Sequence, residues 1–204
     1  MKHLFIVLDG IDGNGKTTQA LLLQKYLEKK GIKVFHTSEP TEGQHGKMID
    51  DLLRQKLAGR IKKEKWIELF TQDSKEHQRK IQDNLNSEIT VICDRYIYST
   101  LTYQLEEKDW QSYISGFIKP DIIFILDVPI KIAIERIKQK YNKTREKKSY
   151  FEKQGVLTKV RKQFLKLPTF LDHNIKIIDS NRSEKEIFKD IKKEIDLLMN
   201  SSES

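Results

Sequence analysis

Near the start of the chain lies the string Gly10-Ile11-Asp12-Gly13-Asn14-Gly15-Lys16-Thr17, which is the strongest indication of the fold. It fits the pattern G-x-x-x-x-G-K-[ST], with a short apolar run before it and an amphipathic run after it. Glycines let such a loop curl so that successive backbone N–H groups face phosphate oxygens, and the helix that follows adds its positive end. We therefore expect Lys16 to bridge the β- and γ-phosphates of a nucleotide, and Thr17 to hold Mg²⁺.

Outward from this loop, short apolar runs alternate with longer amphipathic runs along the chain. The short runs, rich in Ile, Val and Phe, lie at 4–8, 33–36, 89–93, 122–126 and 176–178. The amphipathic runs lie at 16–30, 47–56, 64–85, 130–141, 151–167 and 184–199. Uninterrupted apolar runs are typical of strands buried on both faces, and their alternation with helices predicts an α/β fold with a parallel sheet. Ligands of such sheets bind beyond the carboxyl ends of the strands.

The composition is that of a soluble globular chain, with 33% charged and 37% hydrophobic residues. Its 204 residues are expected to form a single domain, 1–204. The net charge of +8 favours a polyanionic ligand, which a nucleotide and a nucleic acid satisfy equally. No apolar run approaches the roughly 18 residues of a membrane span, and we recognise no targeting segment, so we expect a cytoplasmic location. The single cysteine, Cys93, is expected to be a buried apolar side chain.

Two other features of the sequence indicate which class of nucleotide-binding protein this is. A GTPase needs an N-K-x-D motif, and the nearest string, Asn142-Lys143-Thr144-Arg145, lacks the acid and lies in a polar run. A chain of this length with one phosphate loop suits a kinase that acts on a small molecule.

The apolar run at 89–93 leads into Asp94 and Arg95. An aspartate at a strand end beside a phosphate loop is positioned to hold Mg²⁺ through water, and the planar fork of arginine suits a phosphate. A structural ion pair between the two neighbours explains them equally well. Ser99, Tyr103 and Gln104 follow at spacings of about one helical turn, so they share a face, with core packing as the alternative for Tyr103.

Three other positions follow strands or lie on helices. Glu39 lies before Pro40, which ends the second strand, and is either a site carboxylate or part of a plain turn. Phe70 is either a ring that stacks on a base or a core side chain. Asp127 is expected to cap the helix that follows the fourth strand.

Seven strings, in this order, resemble the thymidylate kinase family. They are 10–18, 39–40, 69–77, 94–104, 120–129, 160–167 and 177–181, and together they run through nearly the whole chain. The resemblance implies a three-layer P-loop kinase fold, with a five-stranded parallel sheet flanked by helices, usually as a homodimer. It also implies that ATP and Mg²⁺ are used to convert dTMP to dTDP.

On the donor side, the resemblance implies that the loop amides, Lys16 and Thr18 bind the ATP phosphates, and that Asn181 lies near the adenine. Asp12 is implied to lie near the acceptor sugar and the metal. Thr17 and Asp94 are the implied metal-binding residues.

On the acceptor side, the resemblance implies that Arg95 clamps the dTMP phosphate and that Phe70 stacks on the thymine. Tyr103 would crowd the sugar 2′ position and so favour deoxyribose, with Ser99 and Gln104 beside it. Glu39 would be an acid on the sugar side.

The resemblance also implies a flexible lid at about 141–155. Because Gly13 and Asn14 supply no arginine inside the phosphate loop, the catalytic arginine is expected in this lid. Arg145 is its only arginine and our candidate, with Lys143, Lys147 and Lys148 as rivals and a solvated basic loop as the alternative.

Two positions depart from the family pattern. Ser74 stands where the family usually has an arginine that contacts the thymine carbonyl, and Ser38 stands where many members have an arginine before Glu39. Ser74 can still hydrogen-bond a base, and Gln72 or Gln104 can assist it. A kinase for dUMP or UMP therefore stays open.

Two further functions stay open on other grounds. One is a deoxynucleoside kinase with Glu39 as the base, and the other is a nucleotide-regulated protein that binds nucleic acid. We favour thymidylate kinase, without nucleic-acid or membrane partners, because the basic residues are scattered and form no patch interleaved with aromatic residues.

Overall fold

The computed structural model describes residues 3–55, 58–144 and 149–200. Within these ranges the chain forms five strands and eight α-helices, with one or two α-helices between successive strands. The strands are β1 (Phe5–Asp9), β2 (Val34–Ser38), β3 (Thr90–Asp94), β4 (Ile122–Asp127) and β5 (Ile175–Asp179). The helices are α1 (Lys16–Lys29), α2 (Gln44–Leu53), α3 (Lys63–Asn86), α4 (Ile97–Gln104), α5 (Trp110–Ile114), α6 (Ile130–Thr144), α7 (Gln154–Phe170) and α8 (Glu184–Asn200).

All five strands are parallel and lie in the order β2-β3-β1-β4-β5. The middle strands β1, β3 and β4 are buried almost throughout, whereas the edge strands β2 and β5 are partly exposed. Leu8 of β1 pairs with Asp94 of β3, so the carboxyl ends of these two neighbours are level. The predicted α/β fold with a five-stranded parallel sheet flanked by helices is confirmed.

The sheet is covered on both faces because successive side chains of a strand point to opposite sides. Phe5 and Val7 of β1 pack with residues of α3, α4, α6 and α7 on one face. On the opposite face, Ile6 and Leu8 of β1, together with Leu4 just before the strand, pack with residues of α1 and α8. The result is three layers with a core on each side of the sheet. A smaller apolar cluster joins α2 to α3 beside the sheet.

Several element bounds differ from those predicted. The helix expected at 47–56 occupies Gln44–Leu53, and the one expected at 151–167 occupies Gln154–Phe170 and includes Pro168. A separate 3₁₀ turn, Tyr150–Glu152, precedes α7. Helix α4 was not among the predicted amphipathic runs, although the spacing of Ser99, Tyr103 and Gln104 indicated one helical face. Seven of its eight residues are buried, so its apolar residues are not confined to one side.

Two smaller expectations can also be compared with the structure. Cys93 is a buried free thiol, as predicted. Among the described residues, none of the helices combines the length and the apolar character needed to span a bilayer.

Candidate active site

The phosphate loop joins β1 to α1 and depends on glycine at two tight positions. Gly10 has φ +130°, and a Cβ there would lie 2.3 Å from Asn14 Nδ2 and 2.8 Å from the Leu126 carbonyl oxygen. Gly13 has φ +79°, and a Cβ there would lie 2.5 Å from the Ala133 carbonyl oxygen. Any side chain at either position would push the loop off the strands and helix that support it.

Asn14 holds the loop in place with its side chain. Its Nδ2 donates to the carbonyl oxygens of Asp9 (3.2 Å) and Leu126 (3.1 Å), and its Oδ1 accepts from the Lys16 backbone N–H at 3.1 Å. The Asn14 side chain is fully buried. Its role in the loop is therefore structural, and its backbone amide remains a candidate for binding phosphate.

Lys16 lies inside the loop, with its Nζ 3.6 Å from Asp12 Oδ1 and 3.4 Å from the Ile11 carbonyl oxygen. Burial lowers the pKa of Lys16 and so does the nearby Arg95, while Asp12 opposes both. An ammonium group held in this way would gain a strong partner from an anion bound in the loop.

Thr17, in the first turn of α1, meets Asp94 at the carboxyl end of β3. The Thr17 hydroxyl donates a short hydrogen bond to Asp94 Oδ2, while Asp94 Oδ1 is buried and makes no hydrogen bond. A hydroxyl and an unpartnered carboxylate oxygen are hard ligands of the type that Mg²⁺ takes. No group of three or more His, Cys, Asp or Glu side chains that could hold a metal occurs in the described ranges. These two residues therefore fit a Mg²⁺ whose other ligands are water and nucleotide phosphate.

Arg95 extends between the two halves of the site. One guanidinium nitrogen donates to Ser99 Oγ at 2.8 Å, and the other donates a short hydrogen bond to the Asp12 carboxylate. The ion pair formed by Arg95 is thus with Asp12 and not with its neighbour Asp94. Burial opposes the charge of Arg95, but Asp12, with smaller contributions from Tyr103, Asp9 and Asp94, outweighs burial, so the pKa of Arg95 is raised. Burial likewise raises the pKa of Asp12, and Arg95 and Lys16 together outweigh it, so the net shift is downward.

Two cavities open along this edge of the sheet. The phosphate cavity, about 500 Å³, is lined by the loop 12–18 together with Ser38, Glu39 and Asp94. The aromatic cavity, about 240 Å³, is lined by Phe70, Tyr103, Tyr141 and Phe151 among others. Residues common to both linings are Asp12, Pro40, Arg95, Lys140 and Glu152. The cavities therefore adjoin where acidic and cationic side chains meet.

The aromatic cavity has rings on its walls and hydrogen-bond donors at its end. Phe151 packs edge-on against Trp66 and Tyr103, with 5.4 Å between ring centroids in each pair. The Tyr103 hydroxyl and Gln104 Nε2 are buried and make no hydrogen bond. Burial raises the pKa of Tyr103, so the phenol is a neutral donor. These two donors without a hydrogen-bond partner, next to aromatic rings, suit a flat ligand with carbonyl or hydroxyl oxygens.

Phe151 was missed from the sequence, although it falls inside the predicted lid at 141–155. Its only signal was an aromatic pair, Tyr150-Phe151, within a lysine-rich stretch. The same segment carries Glu152, which accepts hydrogen bonds from the Tyr141 hydroxyl (2.6 Å) and the Ser149 backbone N–H (2.7 Å). The described part of the predicted lid therefore closes one side of the aromatic cavity.

Glu39 lines the phosphate cavity and is held by a buried polar network. Its Oε2 accepts from the Ser74 hydroxyl at 2.8 Å, and its Oε1 lies 2.9 Å from His77 Nδ1. His77 Nε2 in turn lies 2.7 Å from the Thr37 hydroxyl. Burial raises the pKa of Glu39, opposed first by His77 and then by Ser74. Ser74, expected to face a base, is 1% exposed and directs its hydroxyl at Glu39.

The helix α6 supplies a residue that the sequence did not single out. Arg136 donates to the carbonyl oxygens of Gly13 (3.4 Å) and Ser180 (3.1 Å), and so links the phosphate loop to the loop after β5. Asn181, in that second loop, is exposed and its backbone N–H donates to Asp179 Oδ1 at 2.9 Å. Arg136 was not predicted because α6 contains several basic residues, and the sequence does not indicate which of them contacts the phosphate loop.

The remaining predictions fall into three groups. Asp127 was predicted to cap α6, and this prediction was wrong. Its two carboxylate oxygens instead accept hydrogen bonds from Arg161 of α7, at 2.6 and 2.8 Å. Phe70 lines the aromatic cavity and also packs against Trp66, with 6.0 Å between ring centroids. Arg145, Lys147 and Lys148 lie outside the described residues, whereas Lys143 is exposed on the last turn of α6.

Comparison with known proteins gives a consistent result. The family model described as thymidylate kinase matches residues 8–191. A probable thymidylate kinase of Pyrococcus abyssi is 38% identical over 200 residues, which are 94% of this chain and 95% of that protein. One of Thermococcus kodakarensis is 41% identical over 179 residues, covering 80% and 83% of the two chains. One of Methanocaldococcus jannaschii is 35% identical over 188 residues, covering 90% of each.

Proposed function

The chain belongs to the thymidylate kinase family, and on that basis we propose that it transfers the γ-phosphoryl group of ATP to dTMP, giving dTDP and ADP. The observation that carries the proposal is the junction of the two cavities at Asp12, Arg95 and Lys140. A phosphate in the loop and a phosphate on a ligand in the aromatic cavity would meet at this junction. Phosphoryl transfer asks a protein mainly for such positioning and for cationic groups around the transferred group.

On the donor side, the ATP phosphates would lie on the amides of loop 10–18 with Lys16 beside them. The adenine would extend toward Asn181, past Arg136, which connects that loop to Gly13. Mg²⁺ would be held by Thr17 and Asp94, and when bound it would neutralise charge on the phosphates.

On the acceptor side, the pyrimidine would lie in the aromatic cavity against Phe70 and Phe151. Gln104 Nε2 and the Tyr103 hydroxyl, both without a partner, would donate to base and sugar oxygens. Arg95 would clamp the acceptor phosphate, because Asp12 and Ser99 hold its guanidinium at the junction. Leaving a buried donor unpaired costs free energy, so these donors also select a ligand with oxygens at matching positions.

The transfer step needs no protein base. An oxygen of the dTMP phosphate, already ionised, would attack the γ-phosphorus in line and form the new P–O bond. The bond from the γ-phosphorus to the bridging oxygen would break, and ADP would leave with its electron pair. We infer that the segment 141–155 acts as a lid that excludes water, with Arg145 stabilising charge in the transition state.

The alternatives left by the sequence can be separated by one assay. Coupled ADP release would be measured with dTMP, dUMP, UMP, dCMP, AMP and thymidine as acceptors. We expect the highest kcat/KM with dTMP and no turnover of thymidine, because both carboxylate oxygens of Glu39 already face Ser74 and His77. Preferred turnover of UMP, or turnover of thymidine, would contradict the proposal. A gel shift at physiological salt would test nucleic-acid binding, which we expect to be absent.

We also infer a cytoplasmic homodimer, as the family resemblance implies. Light scattering during size-exclusion chromatography should give twice the chain mass of 24.1 kDa. A mass of a single chain at micromolar concentration would contradict the dimer and leave the kinase assignment unaffected.

A further inference from the structure

Asp9, the last residue of β1, is a carboxylate with no part in the chemistry proposed above. It is fully buried. Its Oδ1 accepts from the Gly10 backbone N–H (2.8 Å) and the Ser99 hydroxyl (2.7 Å). Its Oδ2 accepts from the backbone N–H groups of Tyr96 (3.3 Å) and Ser99 (3.1 Å). The carboxylate thus joins the start of the phosphate loop to the start of α4.

Burying a carboxylate is costly unless hydrogen bonds replace its water. Burial raises the pKa of Asp9, and Arg95 is the largest opposing influence, followed by Ser99 and Gly10. The four donors come from two segments about 90 residues apart, so the carboxylate fixes one segment relative to the other. The N-cap residue of α4, Tyr96, has no side chain that caps the helix, and Asp9 supplies the missing acceptor.

The residue just before this capped segment is Arg95, and its backbone is strained. Its φ is +74°, a left-handed conformation that residues other than glycine rarely adopt. Its N–H donates to the Leu8 carbonyl oxygen at 2.8 Å, which ties it to the residue before Asp9. Strain of this kind persists only where surrounding contacts hold it.

The side chain of Arg95 is joined to Asp9 through one hydroxyl. Ser99 Oγ donates to Asp9 Oδ1 and accepts from Arg95 Nη1 at 2.8 Å. Because a hydroxyl has one proton, its donation to Asp9 turns its lone pairs toward the guanidinium. Asp9 therefore fixes the backbone at Tyr96 and Ser99, which follow Arg95. It also orients the Ser99 hydroxyl, to which the Arg95 side chain donates.

We propose that Asp9 is a positioning residue that holds Arg95 at the junction of the two cavities, with Ser99 as the connecting group. The inference depends on the proposed function, since Arg95 is there taken as the clamp on the acceptor phosphate. Asp9 itself would contact neither nucleotide. A small displacement of a clamp is expected to cost roughly 100-fold in rate.

A double-mutant cycle tests this coupling. Asp9→Asn keeps the size of the side chain but replaces one acceptor oxygen with an amide nitrogen that faces donors. We expect it to lower kcat/KM for dTMP by roughly 100-fold, with a raised KM for dTMP and an unchanged KM for ATP. In an Arg95→Ala background the same change should lower kcat/KM by no more than about threefold, because the group that Asp9 positions is gone.

The outcomes of the cycle are distinct. A loss in the wild-type background at least tenfold greater than that in the Arg95→Ala background supports the proposal, and any smaller difference overturns it. If Arg95→Ala alone keeps full activity, the role of Arg95 in the proposed function fails, whatever Asp9→Asn does. Thermal melting checks that each variant is folded at the assay temperature. Should Asp9→Asn be unfolded, Ser99→Ala replaces it in the cycle under the same criterion.

Asp121 offers a matched control. Its carboxylate accepts from the Phe5 backbone N–H at 2.8 Å, at the opposite end of β1 from the site. Asp121→Asn is expected to leave both KM values and kcat within about twofold of wild type, even where it lowers the melting temperature. If Asp121→Asn lost as much activity as Asp9→Asn, weakening β1 at either end would be enough to lower activity, and the proposal would be overturned.

Discussion

The Ser74 hydroxyl donates a hydrogen bond of 2.8 Å to the buried carboxylate of Glu39. This contact fastens α3 to the loop after β2, with His77 on the other carboxylate oxygen. The Ser74 hydroxyl is thus committed to Glu39 in the wall of the site, whereas Gln104 Nε2, in the lining of the aromatic cavity, makes no hydrogen bond.

Ser74→Ala is expected to affect stability more than specificity. Removing the hydroxyl deprives a buried acceptor of one bond, at a cost of about 1 kcal/mol. For a chain of this size that lowers the melting temperature by roughly 2–4 °C. The ratio of kcat/KM for dTMP over dUMP should change by less than about twofold. A collapse of that ratio would mean that Ser74 contacts the base directly. The exposed Ser87, changed to Ala, provides the control.

Lys16→Ala should abolish transfer while the fold survives. Lys16 is the ammonium inside the phosphate loop, so its loss is expected to lower kcat by roughly 10³-fold or more. Coupled ADP release measures the rate, and circular dichroism measures the fold. Lys25→Ala, on the exposed face of the same helix, should retain wild-type kcat. Normal turnover by Lys16→Ala would refute the assignment of the phosphate loop.

Arg145→Ala tests whether Arg145, in the predicted lid, stabilises charge in the transition state. If Arg145 stabilises the transition state, its removal should lower kcat by roughly 10³-fold and leave the KM for dTMP little changed. Lys143→Ala, on the exposed last turn of α6, should lower kcat by less than about threefold. The reverse order of effects would transfer the role to Lys143.

Phe151→Ala should weaken acceptor binding. The ring packs against both Trp66 and Tyr103 and lines the aromatic cavity. Loss of such contacts, worth about 1 kcal/mol, is expected to raise the KM for dTMP by roughly fivefold to tenfold and to leave that for ATP unchanged. Phe170→Ala, a half-exposed ring on α7 packed against Trp110, should alter neither KM. An equal rise in both KM values would contradict a role at the acceptor side.

A network of charges between α1 and α8 predicts how stability varies with pH. Partial burial raises the pKa of Asp196, but bonds from Lys192, Lys30 and Tyr26 outweigh it and lower that pKa to about 2. The unfolded value is 3.8, so the ionised carboxylate stabilises the fold above about pH 4, and this contribution is lost as the pH falls toward 2. Because the network is partly exposed, screening limits the contribution to about 1 kcal/mol.

Urea unfolding of Asp196→Asn and wild type checks this expectation. The free energies of unfolding should differ by about 1 kcal/mol at pH 7 and should converge below about pH 3. Asp51→Asn, at an exposed position of α2, should differ from wild type by less than about 0.5 kcal/mol at either pH. A difference for Asp196→Asn that grows on acidification would have the wrong sign.

The features that could be read from sequence were local ones. The glycine pattern of 10–17 specifies the loop because only glycine fits at Gly10 and Gly13. The strand runs were found because buried parallel strands are continuously apolar. Helix α4 was missing from the predicted helices because it is buried on nearly all sides. The role of Phe151 was missed because the sequence around a single phenylalanine does not indicate which residues it packs against.

The phosphate loop, the class of fold and the family can be read from the amino-acid sequence, since each depends on residues that are close together in the chain or on their order. Three contacts could not be read in this way: Arg95 donates to Asp12, Ser74 donates to Glu39, and Ser99 donates to Asp9. The contacts of Arg95 with Asp12 and of Ser99 with Asp9 arise because β3 lies beside β1 in the sheet, and the contact of Ser74 with Glu39 joins α3 to the loop after β2. Strand order is set by the packing of the whole chain, so no local pattern of residues encodes it.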